Sequence, residues 1–94
     1  MNDGRVIGLD VGTKRIGVAV SDPLFITAQP LKVVYRQTEE NSIKELEKIV
    51  SEYNVSTIVV GLPKNMNGTL GPQAEDVQNY AKLIKNILGK DIVF

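Results

Sequence analysis

The sequence has no cysteine and no histidine. Without cysteine there can be no disulfide, no thiolate metal site and no cysteine nucleophile. Without histidine, Ser-His-Asp catalysis, an imidazole general base and nearly every zinc site are excluded. A catalytic metal would have to be held by oxygen, which points to Mg²⁺ or Mn²⁺. An excess of charge is lacking too: 11 Lys and Arg stand against 11 Asp and Glu. Net charge therefore announces neither a nucleic acid nor a membrane, and any such binding needs a local patch. No apolar run approaches the roughly 18–20 residues of a membrane span. Met1 to Arg5 is polar and carries no signal-peptide stretch. The expectation is a cytoplasmic protein without membrane contact.

The chain has 94 residues, 43% of them hydrophobic and 23% charged, which suits one soluble globular domain rather than two. Val6 to Val11 and Ile16 to Val20 are short β-prone runs about a turn apart and predict a β-hairpin. Leu31 to Arg36 follows Pro30 and predicts a third strand. The period then changes. Ile43, Leu46, Ile49, Val50 and Tyr53 recur at spacings of three and four and predict an amphipathic helix over Glu39 to Tyr53. Ser42 and Glu45 fit a capping box, with Thr38 as a competing cap. Val55 to Gly61 predicts a fourth strand, nearly devoid of polar alternation after Thr57, as in a strand covered on both faces. Pro72 suits the first turn of a second helix, whose stripe is Val77, Tyr80, Ala81, Ile84, Ile87 and Leu88 and whose closing residue is Gly89. Ile92-Val93-Phe94 opens a fifth strand. The order β-β-β-α-β-α-β, with right-handed parallel crossovers, gives a mixed α/β sheet with the first and fourth strands adjacent. Because the sequence stops within its last strand, it reads as a single domain over 1–94 whose C-terminal part is missing.

Three places could carry chemistry. Asp10 lies mid-strand between Gly8 and Gly12. Alternation puts it on one face with Val6, Gly8 and Gly12, opposite Ile7, Leu9 and Val11. A carboxylate there needs a partner, a metal or solvent, and the glycines leave room for a ligand to approach the backbone. Asp10 could equally be an exposed acid, or one paired with Lys14 or Arg15. The turn Gly12-Thr13-Lys14-Arg15 offers amides, a hydroxyl and two cations, which suits a phosphate with its metal; it could also be a solvated polar turn. Gly61 to Gly71, containing Lys64, Asn65 and Gly68, sits between a strand and a helix, where ligands of α/β sheets gather. It lacks the Gly-Lys-Ser/Thr of a P-loop, and a hydrated connection would use the same glycines. Asp22, before Pro23, reads as a turn residue.

Two long stretches, Gly8-Leu9-Asp10-Val11-Gly12-Thr13-Lys14-Arg15-Ile16-Gly17-Val18-Ala19-Val20-Ser21-Asp22 and Val59-Val60-Gly61-Leu62-Pro63-Lys64-Asn65-Met66-Asn67-Gly68-Thr69 with Gly71-Pro72, resemble the YqgF family, also called RuvX, of Holliday junction resolvases and pre-16S rRNA processing nucleases. The resemblance spans nearly the whole chain. It implies a ribonuclease-H-like fold and a Mg²⁺- or Mn²⁺-dependent phosphodiesterase. On that reading Asp10 is the first catalytic acid and a metal ligand. Thr13, Lys14, Arg15, Lys64, Asn65 and Gly68 contact phosphate. The family's second acid follows the strand beginning at Ile92 and its third lies on a later helix; neither is within these 94 residues, so residues 1–94 alone are expected to be a poor nuclease. The implied activity is trimming of the 5′ end of pre-16S ribosomal RNA in ribosome biogenesis, with cleavage of four-way DNA as the alternative. The implied state is a monomer or homodimer bound to structured RNA or branched DNA. Outside that chemistry stand a fragment of an actin-like or sugar-kinase-type ATPase, whose first strand also carries an Asp-x-Gly-Thr turn, and a non-catalytic nucleic-acid-binding module.

Overall fold

A computed structural model of the chain describes residues 4–21, 28–61 and 72–94. The elements are β1 (Arg5–Val11), β2 (Arg15–Ser21), β3 (Ala28–Tyr35), α1 (Glu39–Glu52), β4 (Val55–Val60), α2 (Pro72–Leu88) and β5 (Asp91–Val93). They form one mixed sheet of order β3-β2-β1-β4-β5. The first three strands are antiparallel, and β1 pairs with β4, and β4 with β5, in parallel. The expected topology, including adjacency of the first and fourth strands, is met.

The alternation read around Asp10 sorts the sheet into two faces. Ile7, Leu9 and Val11 of β1, Ile16, Val18 and Val20 of β2, Val34 of β3 and Ile58 and Val60 of β4 are buried in a single core. Ile43, Leu46, Ile49 and Val50 of α1 and Val77, Tyr80, Ala81 and Ile84 of α2 complete that core. Both helices therefore lie on one face. On the opposite face stand Gly8, Asp10, Gly17, Ala19, Val33 and Val59, and no described element covers them. Val33 is 46% exposed and Val59 38%. Among the described residues β4 is covered on one face only, so the expectation that both its faces are covered is not met within them.

Other boundaries move for identifiable reasons. β3 begins at Ala28 and runs through Pro30 rather than starting after it. Proline is tolerated because β3 is an edge strand and its ladder is already broken: Val18 faces Lys32 while Ala19 faces Pro30, leaving Leu31 as the extra residue. α1 is capped by Thr38, whose Oγ1 accepts from the Asn41 amide at 3.0 Å. Ser42, the rival cap, is buried within the helix. Tyr53 is the C-cap residue, one beyond the helix. Gly89 takes φ +68° and returns its amide to the Lys85 carbonyl at 2.9 Å, the αL closure expected of it. Ile87 was assigned to the buried stripe of α2 but is 50% exposed. It lies about 80° from the stripe's centre at 100° per residue, in the last turn of the helix.

Candidate nucleic-acid and metal site

Asp10 is exposed. Its strand partner in β2 is Gly17, so no side chain stands beside its carboxylate across that pair. A Cβ added at Gly17 would lie 3.7 Å from the Asp10 Cβ. Among the described residues Asp10 makes no ion pair, with Lys14, Arg15 or any other cation, which decides against the reading of Asp10 as one half of a turn salt bridge. The carboxylate instead lines a cleft of about 600 Å³ with Val11, Gly12, Arg15, Gly17, Val33, Gly61 and Gln73. A second, shallower and mainly apolar hollow continues it along the open sheet face over Gly8, Ala19, Val33 and Val59.

The turn between β1 and β2 forms the cleft's wall on one side. The Gly12 amide donates to the Arg15 carbonyl at 2.9 Å, and the Arg36 amide donates to the Lys14 carbonyl at 2.9 Å. A Cβ at Gly12 would come within 2.9 Å of the Arg15 carbonyl oxygen, so this position needs glycine for closeness of approach. Thr13, Lys14 and Arg15 are all exposed. Of the three, Arg15 lines the cleft with Asp10; Thr13 and Lys14 lie on the same turn outside it. Gly61, at the carboxyl end of β4, returns its amide to the Leu9 carbonyl at 3.1 Å and forms the floor's far end. Lys64, Asn65 and Gly68, the other expected phosphate contacts, lie outside the described residues, as does Asp22.

Two residues of this region were not foreseen. Gln73, in the first turn of α2, lines the cleft; Pro72 at the helix start was the signal that the next position belongs to an exposed first turn. The sequence shows Arg36 only as the end of the third strand. Its guanidinium side chain is 7% exposed. Nη1 donates to the Gly12 carbonyl at 2.7 Å and to Asp76 Oδ2 at 3.0 Å, while Nη2 donates to Glu39 Oε1 at 2.8 Å. Its Cζ lies over the Tyr80 ring, 4.6 Å from the centroid. Hydrogen bonding to Asp76, ahead of the opposing effect of burial, raises the Arg36 pKa further above its ordinary value. Glu39 is only three residues on, but no sequence pattern shows the contacts to Gly12 and Asp76, which lie 24 and 40 positions away.

Tyr80 carries a testable consequence of this packing. Its hydroxyl lies 2.7 Å from Ser42 Oγ, which also donates to the Glu39 carbonyl at 2.9 Å. Burial raises the Tyr80 phenol above its ordinary 10.0, against the opposing pull of Ser42. A raised folded-state pKa contributes stability that is fully present below about pH 10 and is lost as pH climbs through the raised value, because the unfolded chain ionises first. Tyr80→Phe should cost about 1 kcal/mol at pH 8 through the lost hydrogen bond. The stability gap to wild type should then shrink above pH 10. Urea midpoints of both proteins at pH 8 and pH 11 check this; a gap that stays constant would contradict it.

Oxygen is the donor set the site offers. Asp10 gives a carboxylate in the open cleft, and among the described residues there is no group of three or more acidic, histidine or cysteine side chains that could hold a metal. Asp10 fits a hard divalent cation as one ligand, not as a whole site.

A family model described as RuvX, Holliday junction resolvase, matches residues 4–94. A relative from Clostridium tetani (strain Massachusetts / E88) bearing the name "Putative pre-16S rRNA nuclease" is 55% identical over 89 residues, which are 95% of this chain and 64% of that protein. The chain spans 64% to 67% of the length of the first two curated relatives it matches. Among solved structures, T. thermophilus RuvC in complex with Holliday junction substrate is similar with a TM-score of 0.56 at 14% identity, over 95% of this chain and 62% of that one. A Bacteroides thetaiotaomicron protein described as having an actin-like ATPase fold and unknown function is similar with a TM-score of 0.57 at 9% identity, over 100% of this chain and 34% of that one. The expected ribonuclease-H-like mixed sheet is therefore found, and the fold by itself is common to both proteins.

Proposed function

The chain belongs to the RuvX family, and from that premise we propose that it forms part of a metal-dependent nuclease that trims the 5′ end of pre-16S ribosomal RNA in the cytoplasm. The observation that carries the reading is Asp10: a carboxylate without an ion pair among the described residues, in an open cleft bounded by a glycine turn with exposed cations on one side and a helix N-terminus on the other. That combination suits phosphodiester cleavage, in which an oxygen-held cation and positively polarised groups meet at one phosphate. The bound cation, Mg²⁺ or Mn²⁺, would supply an activated water and stabilise the leaving oxygen. Asp10 would hold it. Arg15, at the cleft wall, and Thr13 and Lys14 beside it would orient the substrate phosphate by charge-assisted hydrogen bonds. The first turn of α2, with Gln73, adds the favourable end of a helix dipole to the same anion. Lys64, Asn65 and Gly68 are proposed as further phosphate contacts from the family motif.

Asp10 alone would bind Mg²⁺ weakly, since the ion gives up its hydration shell reluctantly. Activity is accordingly proposed for the whole protein and not for residues 1–94 in isolation. Cleavage of four-way DNA is the second reading, favoured by the family's description as Holliday junction resolvase. Phosphate contacts carry no base identity, so the two readings share this site.

The test is cleavage by the whole protein, with and without Mg²⁺ or Mn²⁺, of three substrates: 16S rRNA with a 5′ extension, a four-way DNA junction, and ATP. Metal-dependent shortening of the RNA is expected. Cleavage of the junction alone would transfer the proposal to DNA, and turnover of ATP alone would replace it with an ATPase.

A further inference from the structure

We propose that Arg36 is a positioning residue that fixes the separation of the two walls of the Asp10 cleft. This rests on the reading of that cleft as the reacting site. One wall is the turn after β1, which includes Gly12; the other is the first turn of α2, which includes Gln73. These walls are far apart in sequence, yet both are bonded to one side chain. Nη1 holds the Gly12 carbonyl at 2.7 Å and Asp76 Oδ2 at 3.0 Å, and Nη2 holds Asp76 Oδ1 at 3.4 Å. Asp76 follows Gln73 by three residues, one helical turn behind the cleft-lining position. The backbone amide of Arg36 grips the same β1–β2 turn a second time, at the Lys14 carbonyl. Arg36 itself does not line the cleft.

Four features point to a placed group rather than a chance surface pair. The side chain is 7% exposed, and a desolvated guanidinium is costly unless its bonds are well made. Glu39, at the start of α1, holds the second nitrogen at 2.8 Å. Tyr80 of α2 backs the guanidinium, its ring centroid 4.6 Å from Cζ, so rotation away from Gly12 would abandon the ring as well. Finally, Nε is buried without a hydrogen-bond partner among the described residues. The fork's Nη atoms, by contrast, are committed to Gly12, Asp76 and Glu39. The Gly12 carbonyl is two residues from Asp10 on the same strand end, so a shift of the turn moves the carboxylate and Arg15 relative to α2. Displacements of about 1 Å away from the reacting atoms can cost on the order of a hundredfold in rate.

The experiment uses the whole protein and compares Arg36→Met, Arg36→Lys and Asp76→Asn with a core variant remote from the cleft, Val55→Ala. Amide hydrogen exchange is followed by NMR, together with kcat and KM for the cleaved substrate well below each midpoint. In Arg36→Met the Gly12 and Arg36 amides are expected to exchange at least about tenfold faster, while Ile58 in β4 is unchanged. kcat should fall about ten- to a hundredfold with KM within about twofold. Arg36→Lys, which keeps one donor for Gly12, should recover most of that loss. Asp76→Asn should show a smaller change of the same kind, and serves if Arg36→Met does not fold. Val55→Ala should speed exchange throughout the sheet without selective change at Gly12 and without loss of kcat. Uniform acceleration in Arg36→Met, or selective loosening of Gly12 with full kcat, would overturn the proposal. If wild type cleaves nothing, the nuclease reading fails, and unaltered exchange at Gly12 would separately refute the clamp.

Discussion

Asp10→Asn should reduce metal-dependent cleavage by the whole protein at least about a thousandfold, because a metal's charge stabilisation at the transition state is worth several kcal/mol and each 1.36 kcal/mol is a factor of ten. The substitution keeps the size of the side chain and removes the charge and one oxygen donor. Stability should not fall with it. Asp10 is exposed and bonded to no cation among the described residues, so no described contact depends on its charge. The thermal midpoint should be unchanged or slightly raised. Cleavage rates and midpoints of the two proteins, measured side by side, check both halves. A variant that keeps its rate would remove Asp10 from the chemistry. One that loses its fold would make Asp10 a structural residue.

Gly17→Val should separate activity from stability in the opposite sense. Glycine within a strand is less stable than a residue with a side chain by about 0.5–1 kcal/mol, and valine is among the best strand formers. Among the described residues the Cβ position at Gly17 meets the Asp10 Cβ at 3.7 Å, an ordinary contact. The backbone therefore leaves room for a Cβ on this uncovered face, and the midpoint should hold or rise. Yet the valine methyl groups would stand beside the Asp10 carboxylate, on the cleft floor. A hydrated cation and a phosphate could no longer reach that oxygen, and cleavage should fall at least about tenfold, the cost of misplacing reacting groups. Thermal denaturation with the same cleavage assay distinguishes the cases. Full activity in Gly17→Val would mean that the substrate approaches Asp10 from elsewhere.

Much of this was legible in the residues. Alternation in Val6 to Val11 and Ile16 to Val20 assigned each side chain to its face, and the structure keeps those assignments: Ile7, Leu9 and Val11 are buried and Asp10 is not. The change of period after Arg36 located α1, and Gly89 marked the end of α2. What local pattern could not carry is coverage and contact across distance. The run at Val55 to Val60 has the same composition whether one face or two are packed, so the exposure of Val59 had no signal. Pro30 argued against a strand only for a chain in the sheet interior, and its edge position depends on the whole topology. For the site, the sequence pointed to Asp10 and Arg15, which share the cleft, and to Thr13 and Lys14, which lie outside it on the turn. Arg36 could not be found in this way. Glu39 is a local neighbour, but Gly12 and Asp76 meet Arg36 only once β1 and α2 are packed together.

The most direct measurement is a Mn²⁺ titration of the chain followed by relaxation broadening of its amide resonances, which reports the metal's place even when binding is weak. If Asp10 is the metal ligand of this domain, the earliest broadening falls on Asp10, Gly12 and Gly17, with Gly61 close behind, and Asp10→Asn abolishes it. Broadening centred instead on the exposed acids of α1, Glu40, Glu47 or Glu52, and unaffected by Asp10→Asn, would contradict the account.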